Sequence, residues 1–244
     1  MPARDTDAYG RLIYDHHRGR TSFEVIERDD GWFGVSTGAP AYFAPFSAWP
    51  VHQRRGMRFV RGRVLDVGAG AGRVALHLKA RGHDVLAIDA SPLAIRTCRL
   101  RGVRKARVLR LADVSARLGR FDTIVMYGNN FGLFGSPRRA RALLRRLHKL
   151  TVPATRIVAE TRNPYRGGSP DHRRYHARNR RRGRAPGQIR MRVRYGRACT
   201  RWFDYLFVSP RELHAIVANT GWHVAHTIGS DEPVYVAVLE KAAG

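Results

Sequence analysis

A chain of 244 residues with 43% apolar residues is long enough to bury a large core and too apolar to be disordered. Its formal charge of +26 points toward polyanionic partners, yet only four of its 45 basic residues are lysine (Lys79, Lys105, Lys149, Lys241), and an arginine excess spread along a whole chain is also what GC-rich codon usage produces. Two cysteines, Cys98 and Cys199, exclude a disulfide framework and a metal knuckle; no run nears the roughly 20 apolar residues of a membrane span, and MPARDTDAYG lacks the apolar stretch of a secretory signal, so a reduced, cytoplasmic protein is expected.

Along the chain, FEVIERDDGWFGVS places Asp30-Gly31 between two strand-like runs, a hairpin signal. Residues 47–60, SAWPVHQRRGMRFV, predict a short helix leading into the core. From residue 63 apolar strands alternate with amphipathic helices. The expected elements are strand Arg63–Val67, helix Gly72–Arg81, strand Val85–Asp89, helix Pro92–Leu100, strands Arg107–Leu111 and Phe121–Tyr127, helix Pro137–Leu150 and strand Thr155–Glu160. That rhythm predicts an α/β fold with a doubly wound, mostly parallel sheet. Gln188–Tyr195 and Ala198–Val208 then read as an added hairpin about Gly196. Ser209 and Glu212 form a capping box for a helix ending near Gly221. His223–Ile228 and Val234–Glu240 read as a closing antiparallel pair.

VLDVGAGAGRVALHL, residues 64–78, ends a buried strand in Asp66 and then gives Gly68, Gly70 and Gly72 before a helix. Glycines here permit positive φ and let a ligand approach bare backbone, and the helix start offers free N–H donors. Glycine at such turns also serves packing alone, so context decides. The dinucleotide fingerprint G-x-G-x-x-G fails, because its third glycine falls at Arg73. The pattern present, an acid followed by G-x-G-x-G, resembles motif I of the class I S-adenosylmethionine-dependent methyltransferases. Two more acids follow at successive strand ends in the family's order: Asp89 in VLAIDAS and Asp113 in VLRLADV.

The resemblance covers 61–165 closely and the rest loosely. It implies a seven-stranded Rossmann-like sheet with an antiparallel C-terminal strand, S-adenosylmethionine as cofactor, and no metal. Asp66, Gly68, Ala69, Gly70 and Gly72 would form the cofactor loop. Asp89 with Ala90 would hold the ribose, Asp113 with Val114 the adenine, and Tyr127 and Gly128 would face the loop across the cofactor.

YGRLIYD, residues 9–15, resembles a Tyr-Asp element that precedes the core in many of these enzymes. Residues 1–60 are therefore expected to form a lid over a methyltransferase domain at 61–244, with an Arg-rich insertion and hairpin at 166–208. The turn Gly128-Asn129-Asn130-Phe131 resembles the Gly-Asn-Ser-Phe of glycine N-methyltransferase-like enzymes, and not the Asn-Pro-Pro-aromatic signature of enzymes that methylate base amino groups. Asn129 and Asn130, with Tyr14 and His16 from the lid, become the candidates for orienting an acceptor. His17 is a further candidate for the lid, and Glu160, Asn163, Tyr42, Phe43 and Phe46 are placed to line the acceptor pocket. The eleven histidines form no constellation that nominates a general base.

HRRYHARNRRRGRAPGQIRMRVRYGR, residues 172–197, holds eleven arginines. Arg190, Arg192 and Arg194 share one face of a strand and Ile189, Met191, Val193 and Tyr195 the other, the pattern of a half-buried strand. Only 166–187 reads as a mobile loop. The expected activity is methyl transfer from S-adenosylmethionine to a small-molecule N or O nucleophile by in-line displacement. The alternative is an RNA methyltransferase that holds RNA with 172–197. A third reading, a noncatalytic binding protein on the same fold, is opposed by the intact loop and acids. No membrane partner is expected.

Overall fold

Among the described residues four helices begin with Ser-Pro, and in each the serine hydroxyl accepts a hydrogen bond from the backbone three residues on. The computed structural model, which describes residues 6–20, 23–36 and 38–242, opens with helix α1 (Ala8–His17), capped instead by Asp7. Asp30-Gly31 folds strand β1 (Val25–Arg28) onto β2 (Phe33–Val35), with Gly31 at φ 88°. A short helix α2 (Val51–Gly56) leads into β3 (Val64–Val67), α3 (Arg73–Ala80), β4 (Val85–Asp89), α4 (Pro92–Leu100) and β5 (Ala106–Val108). Then come β6 (Thr123–Met126), α5 (Pro137–Leu150), β7 (Arg156–Arg162), α6 (Pro170–Arg181), β8 (Gln188–Tyr195) and β9 (Ala198–Cys199). The chain closes with β10 (Phe203–Leu206), α7 (Pro210–Val217), β11 (Trp222–Ile228) and β12 (Val234–Lys241). The Ser-Pro starts are those of α4, α5, α6 and α7, whose caps are Ser91, Ser136, Ser169 and Ser209. Among the described residues no helix is long and apolar enough to cross a membrane.

The main sheet runs β11-β12-β7-β6-β3-β4-β5. Its last five strands are parallel, β12 lies antiparallel to β7, and β11 is antiparallel to β12. Every residue of β3, β4 and β6 is buried, as strands covered on both faces must be. Leu65, Ile88, Ile124 and Met126 pack with Leu144 of α5 and Leu213 of α7, while Val64, Val85, Ala87 and Val125 pack with Ala75 and Leu78 of α3 and Ile95 of α4. The chain reverses direction across the sheet between β3 and β6, which opens a crevice at their carboxyl ends.

A second sheet, β10-β8-β1-β2 with β9 on β8, joins the N-terminal hairpin to the 188–206 region. Helix α1 lies between this sheet and the main one: Ala8 packs with Val193 and Ala198, and Ile13 with Ala71 and Ala94.

Three expectations need correction. Most of 166–187 is helix α6 and not a mobile loop. Ser169, Pro170 and Asp171 supply a complete start signal, and Gly183, at φ 65°, supplies the stop, with the Gly183 amide on Arg180 O and the Arg184 amide on Asn179 O. Asn179 is buried and ties the end of α6 to Pro186 O and Gln188 O. The expected strand Ala198–Val208 is broken into β9 and β10, because the Thr200 hydroxyl, not a backbone carbonyl, takes the Val193 amide. The strand expected at Arg107–Leu111 ends at Val108, and Leu111–Asp113 is a tight 3-10 turn.

Candidate active site

The crevice floor is the turn between β3 and α3. Gly68, Gly70 and Gly72 all have left-handed φ, at 71°, 55° and 78°. They are glycine for different reasons. A Cβ on Gly68 would strike the Asn130 amide, and one on Gly72 would crowd Val103 and Cys98 of the α4 side. A Cβ on Gly70 would meet nothing closer than the Tyr9 hydroxyl at 3.5 Å and Ile13 at 3.7 Å, ordinary contacts, so packing alone does not demand this glycine. Ala69 is nearly buried, with its amide on Ile88 O.

Asp89, at the end of β4, is buried and braces this turn: Oδ2 accepts from the Gly70 amide at 3.0 Å and Oδ1 from the Ser91 amide at 2.9 Å. Burial raises its pKa, opposed by those backbone bonds. Ala90 is exposed beyond it. Asp113 is not brought alongside: its carboxylate lies at the surface on Arg110, with Nε at 2.7 Å, while Val114 is buried.

Opposite the turn, Tyr127 points away from the crevice and donates its hydroxyl to Gln53 O at 2.8 Å. Gly128 and Asn129 both adopt positive φ, at 77° and 63°. Their amides converge on Glu160 Oε2, and Glu160 Oε1 accepts from His52 Nε2 and Gln53 Nε2, each at 2.8 Å. A left-handed non-glycine residue is a strained position of the kind that clusters at functional sites. The two asparagines part company here. Asn130 spends its amide on Val67 O and Gly68 O, and accepts the Tyr205 hydroxyl on Oδ1, so it stitches the two turns together and does not face an acceptor. Asn129 has a buried Oδ1 with no hydrogen-bond partner.

The lid residues also sort differently from expectation. Tyr14 stacks under Arg96 of α4, and the His16 ring rests on Phe43, 4.7 Å between centroids, with His17 stacked on the same ring. Phe46 stacks on His77, and Asn163 caps the Tyr165 amide. It is Tyr9 that reaches the glycine turn, edge-on to Tyr42 at 5.2 Å. Tyr205 closes over the β6 turn, its hydroxyl on Asn129 O at 2.8 Å, and its ring fills the space that a side chain at Gly132 would need. Burial raises the pKa of Tyr9, Tyr42 and Tyr205, yet each keeps partial solvent exposure.

Arg73, directly after the last glycine, sits over Trp49 and donates to Gln53 Oε1 at 2.9 Å. Burial lowers its pKa, while Glu160 and Asp66 oppose that effect. Asp66 is 2% exposed, its Oδ2 has no partner, and burial pushes its carboxyl up to about 7 against the pull of Arg73. Among the described residues no cluster of three or more His, Cys, Asp or Glu side chains could hold a metal.

The family model for a methyltransferase domain matches residues 64–154. An S-adenosylmethionine-dependent methyltransferase from Bacteroides fragilis, solved in complex with S-adenosyl-L-homocysteine, superposes with a TM-score of 0.83 at 28% identity, covering 99% of this chain and 97% of that one. The chain is thus similar, over nearly its whole length, to an S-adenosylmethionine-dependent methyltransferase of class I architecture. The methyltransferase also shares its fold with the CcbJ methyltransferase of Streptomyces caelestis, at a TM-score of 0.64, 17% identity, and coverage of 98% and 100% of the two chains. Glycine/sarcosine N-methyltransferase of Halorhodospira halochloris is 26% identical over 107 residues, 41% of this chain and 40% of that relative's length. The residues present fit S-adenosylmethionine: the crevice offers bare backbone at Gly70, a strand-end carboxylate at Asp89 and a buried, unpartnered carboxylate oxygen on Asp66.

Proposed function

We propose that the methyltransferase holds its cofactor along the Asp66–Gly72 turn and Asp89, and methylates a small molecule in the pocket beneath Tyr9, Tyr42 and Tyr205. S-adenosylmethionine supplies an already activated methyl group on a sulfonium, so the chain's work is to orient the nucleophile in line and exclude water. Asp89 would take the ribose hydroxyls and Asp66 the cationic amino end. Asp113 reaches the adenine only by leaving Arg110, and Val114 supplies apolar wall there. Asn129 Oδ1 orients the acceptor's N–H or O–H group. No histidine is free beside Asn129 to act as base, since His16 packs on Phe43 and His52 on Glu160. A nitrogen that arrives unprotonated suits such a site, and an oxygen nucleophile would need its proton removed elsewhere.

What supports this reading is the group of deep but partly wetted tyrosines, Tyr9, Tyr42 and Tyr205, beside the glycine turn and the β6 turn, next to the unpartnered Asn129 Oδ1. The arginine-rich segment supports it by what it binds. Arg174 pairs with Asp171, Arg178 and Arg182 with Asp29, Arg184 and Arg190 with Asp204, and Arg192 and Arg194 with Glu27. The hydrogen bonds from Arg192 and Arg194 bring the Glu27 carboxyl down to about 2. These guanidiniums lace the wet face of a sheet and a helix. With labelled cofactor, label is expected in an ultrafiltered metabolite extract, and Arg181→Ser with Arg197→Ser should leave the rate unchanged. Label in RNA, with binding that persists near about 200 mM salt, would instead establish the RNA reading.

The Asp66 assignment has its own signature. A cationic group placed beside Asp66 favours its ionised form and draws the pKa back down from about 7. Cofactor binding should therefore release protons near neutrality, and affinity should rise with pH through about 7 and then level. Calorimetry in two buffers of different ionisation enthalpy reads this directly. Equal heats in both would remove Asp66 from the cofactor's amino end.

A further inference from the structure

Two buried side-chain oxygens near the tyrosine cluster lack a hydrogen-bond donor, Asn129 Oδ1 and Glu24 Oε2. Glu24 lies just ahead of β1 and is 1% exposed. Its Oε1 accepts the Tyr42 hydroxyl at 3.2 Å, while Oε2 has nothing. Tyr42 touches Tyr9 edge-on, and both tyrosines feel Tyr205, whose hydroxyl sits on Asn129 O. Glu24 thus belongs to the same tyrosine cluster, joined to the β6 turn through Tyr42 and Tyr205. Arg73 also acts on Tyr42, but it gives its hydrogen bond to Gln53 and faces Glu160 and Asp66.

We propose that Glu24 selects acceptors carrying an ammonium group, which its free carboxylate oxygen receives; this rests on the small-molecule reading above. The chemistry of the leftover atoms decides the class. Both are hydrogen-bond acceptors, so the occupant must bring donors. A hydroxyl would satisfy Oε2 but leave a buried negative charge uncompensated, and a carboxylate would be repelled. An ammonium compensates the charge, and the tyrosine rings beside it favour a cation further. The group so held is separate from the atom that takes the methyl, which needs a free lone pair.

The test uses two matched series that differ only in the distal group: putrescine, aminobutanol and aminobutyrate, and tyramine, tyrosol and hydroxyphenylacetate. The wild type should methylate the ammonium member of a series in preference to its hydroxyl and carboxylate partners. Glu24→Gln should raise KM for that member by about tenfold or more, the range of a lost hydrogen bond to a charged group. Its kcat, its melting temperature and its affinity for S-adenosylhomocysteine should hold. Tyr42→Phe, which leaves the Glu24 charge in place, should keep the preference. Equal use of all three distal groups, or an unchanged KM in Glu24→Gln, overturns the proposal while the small-molecule reading stands. Label that enters RNA and no member of either series overturns both.

Discussion

A Gly70→Val chain will bind no measurable S-adenosylmethionine in calorimetry while keeping its circular dichroism spectrum. Gly70 lies at φ 55°, and a new Cβ would come to 3.5 Å from the Tyr9 hydroxyl and 3.7 Å from Ile13, contacts the fold can hold while the rest of the side chain takes the cofactor's place. Left-handed backbone costs an L-residue roughly 1–2 kcal/mol, and a β-branched one resists it most. For a chain of this size that is a loss of several degrees in melting temperature at most, not unfolding. Gly72→Val is the contrasting control. There the new Cβ would sit 3.0 Å from Val103 and 3.1 Å from Cys98, so packing fails along with binding. Unchanged cofactor affinity in Gly70→Val would dissociate the glycine turn from the cofactor altogether.

The second large effect is expected at Glu160. Burial opposes ionisation of this carboxyl, but hydrogen bonds from His52, Gln53 and the Asn129 amide outweigh it and hold the group below the usual carboxylate range. Glu160→Gln keeps the volume but turns an NH2 toward donors, so the variant should lose about 3–5 kcal/mol of stability, the range for breaking a buried charged cluster. Turnover should fall with it, because nothing else fixes the Gly128 and Asn129 amides. The pH dependence gives the sign. A depressed folded pKa means that the stabilisation is present above the unfolded value, about 4.3, and is lost as pH falls through the folded one. Denaturant melts should show the gap between wild type and variant at neutrality and its narrowing in acid. A gap that ignores pH would mean that the carboxylate's charge contributes nothing.

What the sequence disclosed follows the range of the interactions involved. The helices Pro92–Leu100 and Pro137–Leu150 were readable to the residue, because Ser-Pro starts and apolar periodicity are local. The glycine turn between the strand ends at Asp66 and Asp89 is readable because left-handed backbone between a strand and a helix has few sequence solutions. Helix α6 was hidden by its arginines, although Ser169-Pro170-Asp171 and Gly183 had marked both ends. Asn129 and Asn130 look alike in sequence, and only the carbonyls of Val67 and Gly68 decide that one is a clamp. Glu24, Arg73 and Tyr205 carry no motif. Their roles come from strands brought together across the chain, and no local pattern records that. Asp113 had the right place in order but a neighbour three residues back, Arg110, that claims its carboxylate.

The second sheet also sets an order of events. Its closing contact, Arg192 on Glu27, joins residues 165 positions apart. β1 therefore waits, unpaired on its β8 side, until β8 has been made, whereas β3 to β6 pair only with one another and with β7, all of which precede β8. Long loops close slowly, and domains assemble from what has already emerged. A nascent chain of this protein would thus possess its glycine turn and Asp89 well before Tyr205 arrives over the β6 turn.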